Sequence, residues 1–137
     1  MKAEIYDYLP REGKEIREDV FIKEQGFEHE YDETDDVARH VVLFIDDQAV
    51  ATCRFFKEGN RYMIGRIAVR KAYRGMHFGQ KVVEEAEHVI EKEADECFLH
   101  AQIRAQGFYE KLGYEPVGVP DEDEGVPHIM MHKHLHA

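Results

Sequence analysis

The sequence predicts a single α/β domain, residues 1–137, in which helices flank a mixed, mostly antiparallel sheet. A chain of 137 residues is long enough for one domain with its own core. Between residues 37 and 69, three strand-like segments are joined by short polar turns, which is typical of antiparallel hairpins. From Arg66 to Ala86, a β-branched strand leads through a basic, glycine-containing turn into an amphipathic helix.

The composition excludes several classes of protein. A formal net charge of −11 opposes nucleic acid, because its phosphates would be repelled. No apolar segment reaches the roughly 18 residues of a membrane helix, and the chain starts without a secretory signal. Cys53 and Cys97 lie in apolar runs without metal-ligand spacing, so we expect reduced, buried thiols. We therefore expect a cytoplasmic protein with no nucleic acid and no membrane as partner.

The first 36 residues predict a strand, a helix and a loop. Residues 2–8 alternate apolar and charged side chains until Pro10 ends the strand. Residues 11–25 carry apolar side chains at helical spacing and stop at Gly26. Residues 26–36 hold six carboxylates without the spacing of a calcium loop, so we expect a solvated acidic loop. The alternative is a mouth that attracts a cationic substrate.

Three long strands follow the acidic loop. Val37–Ile45 and Gln48–Lys57 are rich in apolar residues and flank Asp46-Asp47, which predicts a hairpin. Gly59-Asn60 marks the next turn, and Arg61–Val69 predicts the third strand.

The second half of the chain alternates helices and strands. The helix after the basic turn extends to about Ala94. Cys97–Ala101 is short and apolar, which indicates a buried strand with a parallel neighbour. Ala105–Leu112 predicts a short helix that ends at Gly113.

The last two strands are predicted at Tyr114–Val119 and His128–Leu135, separated by an acidic loop at residues 121–125. Alternation on the final strand would place His132, His134 and His136 on one face. We nevertheless expect no metal, because a fraying terminus makes a poor preformed site.

The basic turn is the predicted anion site. Positive charge is concentrated in residues 66–81, in a chain that is otherwise acidic. A helix that begins after a glycine-containing turn presents unpaired N–H groups and the positive end of its dipole. Such a site suits a phosphate or pyrophosphate.

The motifs resemble a known family. Residues 73–79, YRGMHFG, resemble motif A of the GNAT superfamily of acyl-CoA-dependent N-acyltransferases. Residues 102–114, QIRAQGFYEKLGY, resemble its motif B. The further segments VFIKEQ, RHVV and GVPHIMM are similar to the bacterial ElaA/YjcF-like branch. The resemblance covers essentially the whole chain.

This resemblance implies a binding site for acetyl-CoA between the central strand and the strand that carries Phe98. The backbone of the central strand would bind the pantetheine arm, and the turn would bind the pyrophosphate. The residues implied in cofactor binding are Ile67, Ala68, Val69, Arg74, Gly75, Met76, His77, Phe78, Gly79, Gln80, Gln102 and Phe108.

Three positions depart from the family pattern. His77 replaces the first motif glycine, which would cost about 1 kcal/mol or more if its φ is positive. Gln102 stands where Asn is commoner, although both carry an amide. Gly65 lies near the position at which many members carry a glutamate base.

The resemblance also implies catalytic roles. Tyr109 matches the proton donor to the departing thiolate, and a phenol pKa near ~10 is close to that of a thiol. A backbone N–H near Ala68 or Val69 would polarise the thioester carbonyl. His40 and His128 are candidates for the general base, because imidazole titrates in the useful range. The carboxylates of residues 28–36, acting through water, are the alternative base.

The sequence therefore predicts an acetyl-CoA-dependent N-acetyltransferase in which an amine of a small molecule or peptide attacks directly. The alternative is a non-catalytic acyl-CoA-binding or regulatory interaction domain. Arg54 and Arg66 could orient an anionic substrate group, but we expect them to pair with carboxylates. Relatives are often dimers, so a homodimer is one expected assembly.

Overall fold

The computed structural model describes residues 1–28 and 30–136 and confirms the predicted fold class. Seven strands form one sheet in the order β1-β2-β3-β4-β5-β7-β6, in which only β4 and β5 are parallel neighbours. The strands are β1 Lys2–Tyr6, β2 Arg39–Ile45, β3 Gln48–Glu58, β4 Arg61–Val69, β5 Glu96–Gln102, β6 Glu115–Asp123 and β7 Val126–His134. The helices are α1 Arg11–Arg17, α2 Phe78–Ile90 and α3 Gln106–Lys111, with a π-helix at Glu18–Glu24 and 3-10 turns at Glu33–Asp36, Lys71–Tyr73 and Ile103–Ala105.

Helices cover the two faces of the sheet unequally. The apolar stripe of α2, which includes Val82, Val83 and Ala86, is fully buried in the main core. On the opposite face, Ile16 of α1 and Val20 of the π-helix pack over β2 and β4. Among the described residues, no helix of comparable size covers β5 and β7 on this second face. None of the helices described is long and apolar enough to cross a membrane.

The predicted helix at residues 11–25 divides into two kinds of helix. The α-helix ends at Arg17, and wider π-type turns continue to Glu24. Backbone hydrogen bonds from Gln25 to Val20 and from Phe27 to Phe21 close these wider turns. Apolar periodicity does not distinguish α from π geometry over seven residues, which is why the sequence pattern predicted one continuous helix.

The predicted acidic loop at residues 121–125 is wrong. Strand β6 extends through Asp123 and pairs with β7, so only Glu124 and Gly125 form the turn. Both turn residues have positive φ, 50° and 78°, as a tight hairpin requires. Asp and Glu are uncommon in strands, but the backbone pairing with β7 overrides that preference.

The acidic loop predicted at residues 26–36 is partly buried, although we expected all of it to be solvated. Glu30 and Asp35 are buried and bind the guanidinium of Arg17, which is only 1 % exposed. Two further arginines confirm the predicted pairing, because Arg54 binds Asp32 and Asp35, and Arg66 binds Glu30 and Asp32. We call these six residues the arginine cluster: Arg17, Arg54, Arg66, Glu30, Asp32 and Asp35.

Buried charge in the arginine cluster shifts the pKa values of its carboxyl groups. Burial alone would raise the pKa of Asp35, but hydrogen bonds from Arg17 and Arg54 outweigh it and lower this pKa to about 2. The pKa of Glu30 is raised, because its burial outweighs the attraction of Arg66 and Arg17. Residues 30–35 are therefore held by charge pairs inside the fold.

Both cysteines are free and buried, as predicted. Burial raises the pKa of each thiol, so both stay protonated near neutral pH. Cys97 lies 3.2 Å from the hydroxyl of Tyr114, which donates a 2.7 Å hydrogen bond to Glu87.

Candidate active site

Strands β4 and β5 separate and open a cleft in the middle of the sheet. They pair only over Tyr62–Ile64 and Cys97–Leu99. Immediately beyond, β4 carries a bulge in which Arg66 and Ile67 together face a single β3 residue, and Arg66 has a φ of 50°. A bulge increases local twist and bends the strand. The bulge therefore turns β4 away from β5 at the point where the cleft begins.

The cleft has two chambers that share Tyr109. The turn chamber faces the turn at residues 73–79, and the histidine chamber lies nearer β5 and β7 and has a volume of about 200 Å³. The turn chamber includes Ile67, Ala68, Val69, Arg74, Gly75, His77, Phe78, Gly79, Phe108 and Tyr109. The histidine chamber includes Gln25, Glu30, Gly65, Arg66, His100, Gln102, Arg104, Tyr109, Asp123 and His128.

Most residues predicted to bind cofactor line this cleft, and three predicted site residues do not. Met76 and Gln80 lie on an outer depression with Met1 and Lys81, outside both chambers. His40 is buried within β2, where its Nε2 lies 3.1 Å from the backbone oxygen of Asp35. The structure thus places His40 beside the arginine cluster and not in the cleft.

The turn before α2 has the strained backbone that its motif suggested. Gly75 has a φ of 80°, and His77, the N-cap residue, has a φ of 67°. The side chain of His77 makes no capping hydrogen bond to the helix start. Gly79 is closely packed, since an added Cβ would lie 3.2 Å from the ring of Phe108, which would have to shift slightly. Phe78 and Gly79, the first two residues of α2, line the turn chamber, and N–H groups at a helix start have no partner within the helix.

Replacing His77 with glycine is expected to raise the free energy of unfolding by up to about 1 kcal/mol. Glycine adopts positive φ without the steric cost that a Cβ incurs. Urea denaturation followed by circular dichroism would measure the change. The matched variant Gly75→Ala places a Cβ at a φ of 80° in open space, and we expect its free energy of unfolding to fall by about 1 kcal/mol. A His77→Gly variant less stable than wild type would contradict the strain argument.

Arg74 lines the turn chamber and forms an ion pair with Glu24. Its guanidinium forms two hydrogen bonds to Glu24, at 2.7 and 2.8 Å, and a third to the backbone oxygen of Val69. The hydrogen bond from Arg74 lowers the pKa of Glu24. Exposed pairs of this kind contribute little stability, so Arg74 can exchange Glu24 for another anion at low cost.

Tyr109 stands where the two chambers meet. Its side chain is 8 % exposed, and its ring packs edge-to-face on Phe108 with centroids 5.0 Å apart. Phe108 is 39 % exposed, so the two neighbouring aromatics are not buried equally. Burial raises the pKa of Tyr109 above its ordinary value, which keeps the phenol protonated at neutral pH. The hydroxyl is therefore available as a hydrogen-bond donor.

His128 has a ring tautomer that its contacts define. Its Nδ1 lies 2.8 Å from the backbone oxygen of Val126, and a carbonyl can only accept, so we assign the hydrogen to Nδ1. In the neutral ring, Nε2 then carries the lone pair. The ring stacks on His100 at 4.7 Å, and His100 Nε2 lies 2.7 Å from Asp121. His128 is thus a positioned imidazole with a basic nitrogen.

Gln102 offers an unused acceptor in the histidine chamber. Its Nε2 donates a 2.8 Å hydrogen bond to Gln25. Its Oε1 is buried and has no hydrogen-bond partner among the described residues. A buried polar atom without a partner is costly, so this oxygen suits a ligand N–H.

Sequence reasoning missed several residues of the histidine chamber, and a signal for one of them existed. His100 alternates with Gln102 on the outer face of β5, while Leu99 and Ala101 face the core. That period-two pattern would have placed His100 on the same face as Gln102. The pairing of β5 with β7, which places His128 opposite Gln102, has no local sequence signal.

The chain is similar to known proteins in sequence and in fold. Residues 8–135 match the family model of an acetyltransferase (GNAT) domain. The uncharacterized N-acetyltransferase YjcF of Bacillus subtilis is 31% identical over 122 residues, covering 86% of this chain and 87% of YjcF. ElaA of Escherichia coli is 31% identical over 128 residues, covering 85% of this chain and 82% of ElaA.

Two solved structures share the fold. The crystal structure of Escherichia coli ElaA superposes with a TM-score of 0.86 and 26% identity, covering 97% of this chain and 99% of that one. An aminoglycoside 6'-N-acetyltransferase complexed with coenzyme A superposes with a TM-score of 0.74, covering 100% of this chain and 98% of that one. At 15% identity, the second likeness shows the fold alone.

Proposed function

Because this chain belongs to the GNAT family of acetyltransferases, in its ElaA/YjcF-like branch, we propose that it transfers the acetyl group of acetyl-CoA to a primary amine of a small molecule or peptide. The observation that carries the proposal is the place of Tyr109, between a chamber suited to the cofactor and a chamber suited to the amine. The fold is one that holds coenzyme A in a structural neighbour.

Several features of the turn chamber suit acetyl-CoA. Beyond Ile64, the edge of β4 no longer pairs with β5, so an extended pantetheine arm can lie along Ile67–Val69 as an added strand would. The N–H groups at the start of α2 suit the pyrophosphate. Arg74 would release Glu24 and bind phosphate oxygens instead. In the adjoining histidine chamber, the free Oε1 of Gln102 would accept an amide or amine N–H.

The reaction needs two proton transfers, one from the amine and one to the thiolate, and a different side chain serves each. Attack by the neutral amine forms the new C–N bond, and the C–S bond then breaks. His128 Nε2 takes the proton that the amine nitrogen loses, and the Tyr109 hydroxyl donates to the departing thiolate. A backbone N–H near Ala68 or Val69 would stabilise the carbonyl oxygen during attack. Solvent then returns both side chains to their starting protonation.

A non-catalytic acyl-CoA-binding or regulatory domain is the second candidate function. It is favoured by the strained His77 in the turn and by Gly65, which leaves the cleft wall without a carboxylate at that position. Tyr109 at the junction of the chambers favours the enzyme. Both candidates predict that the chain binds acetyl-CoA. Only the enzyme predicts turnover with an amine.

Calorimetric titration with acetyl-CoA tests the cofactor site. We expect micromolar binding by the wild-type chain and none by Gly79→Glu, because a carboxylate in the turn would repel the pyrophosphate and fill space beside Phe108. The matched control is Gly107→Glu, since Gly107 has open space and lines neither chamber. Thiol release with a panel of amines then tests catalysis. Absence of binding at millimolar acetyl-CoA would contradict both candidates.

A further inference from the structure

The histidines that alternate along β7 meet a carboxylate of β5. In the antiparallel ladder, Glu96 lies opposite His134, and Phe98 lies opposite His132. These side chains point away from α2, because the intervening Cys97 and its neighbours along β5 face the core. Two imidazoles and one carboxylate therefore share the open outer face of the sheet.

The three side chains are close enough to share one ion. His132 Nδ1 lies 2.6 Å and His134 Nε2 3.8 Å from the same oxygen of Glu96. One ligand atom from each residue lies within 4.8 Å of the others. Tetrahedral bonds of about 2.0–2.1 Å place ligand atoms roughly 3.4 Å apart. His134 is 72% exposed, so rotation of its side chain can supply the remaining movement.

We propose that Glu96, His132 and His134 form a binding site for a divalent first-row transition-metal ion of the Zn²⁺ type. Imidazole nitrogen and carboxylate oxygen are the ligands that this class of ion prefers, and three protein ligands leave one tetrahedral position for water. The ion replaces the hydrogen that His132 Nδ1 and Glu96 now share, and this hydrogen moves through solvent to Nε2 of the same ring.

The site is more preorganised than its closeness to the chain end suggests. The ladder between β5 and β7 extends as far as the Glu96–His134 pair, so the ligands lie on paired strands. The ring of His132 stacks on Phe98 at 5.9 Å, and Arg61 covers the Phe98 ring at 4.9 Å. From the sequence we expected no metal because the chain end would fray, but His132 and His134 lie on a paired strand and that reason does not apply to them.

The metal site is separate from acyl transfer. Glu96 and Gln102 lie at opposite ends of β5, about 20 Å apart at roughly 3.3 Å per residue. His136 does not belong to the site, since its Nε2 lies 2.8 Å from the backbone oxygen of Glu91. An ion held by both strands would link β5 to β7 and stabilise the folded chain by mass action.

The test uses the full chain without an affinity tag, because a histidine tag would bind metal itself. Zn²⁺ is titrated by calorimetry, and Co²⁺ is titrated by visible absorption, which reports coordination geometry. We expect one equivalent of Zn²⁺ and a tetrahedral Co²⁺ spectrum. His134→Gln and Glu96→Gln should each weaken binding by at least about tenfold. His136→Gln is the matched control from the same strand end and should bind as wild type does.

Thermal unfolding supplies a second readout. Zn²⁺ should raise the Tm of wild type and His136→Gln and leave that of His134→Gln unchanged. His134 is exposed, so its substitution should not alter the Tm without metal. Lack of saturable binding to wild type, equal affinity of wild type and His134→Gln, or an octahedral Co²⁺ spectrum would each overturn the proposal. None of these readouts depends on acetyl-CoA, so the proposed acetyltransferase function stands or falls separately.

Discussion

Replacing Arg17 with alanine is expected to lower the free energy of unfolding by about 3–5 kcal/mol. The guanidinium is 1 % exposed and donates to Glu30 at 2.8 Å and to Asp35 at 2.7 Å. Its removal leaves Glu30 with Arg66 and Asp35 with Arg54 as their remaining arginine partners, and the desolvation cost of an undercompensated buried charge is large. Urea denaturation at neutral pH, followed by circular dichroism, measures the loss.

A surface ion pair of similar geometry provides the control. Arg74 binds Glu24 at 2.7 Å, but both side chains are partly exposed to solvent. Arg74→Ala should therefore change the free energy of unfolding by no more than about 1 kcal/mol. Equal stability of Arg17→Ala and wild type would show that the arginine cluster does not hold the fold together. A large loss in Arg74→Ala would show that burial is not the deciding factor.

The arginine cluster also links fold stability to the shape of the cleft. Arg66 belongs both to the cluster and to the β4 bulge at which β4 and β5 separate. Glu30 binds Arg17 and Arg66 and lines the histidine chamber. The same charges that hold residues 30–35 against the sheet thus support one wall of the cleft.

Local signals were sufficient to predict the turn and its flanking elements. Ile67 and Val69 are apolar and β-branched, and the glycines of the turn come directly before the apolar stripe of α2. These features depend on neighbouring residues, so they can be recognised in a single sequence. The predicted hairpin of β2 and β3 is confirmed for the same reason.

The arginine cluster and the histidine chamber depend on distant residues. Arg17 and Glu30 are 13 positions apart, and Arg66 reaches Glu30 across 36 positions. No local pattern indicates which carboxylates of an acidic segment will meet arginines from three other elements. The stacking of His128 on His100 follows from the register of β5 and β7, which turn geometry and the whole sheet determine.

Replacing Tyr109 with phenylalanine is expected to lower kcat by about 10²–10⁴-fold. The substitution removes only the hydroxyl that donates to the departing thiolate. The ring would keep its edge-to-face contacts with Phe108 and Tyr114, so the fold and the affinity for acetyl-CoA should stay close to wild type. Thiol release is measured with whichever amine of the panel the wild-type chain acetylates, and calorimetry measures acetyl-CoA binding.

Tyr114→Phe is the matched control, because it removes the same atom from a neighbouring ring. Tyr114 is 2 % exposed and lines neither chamber, and its hydroxyl donates to Glu87 inside the core. Loss of that hydrogen bond should cost about 1–3 kcal/mol of stability and leave kcat unchanged in the folded enzyme. A Tyr109→Phe variant with wild-type kcat would remove the proton-donor role and favour a binding domain. A loss of kcat in Tyr109→Phe but not in Tyr114→Phe would support the Tyr109 hydroxyl as the proton donor to the thiolate.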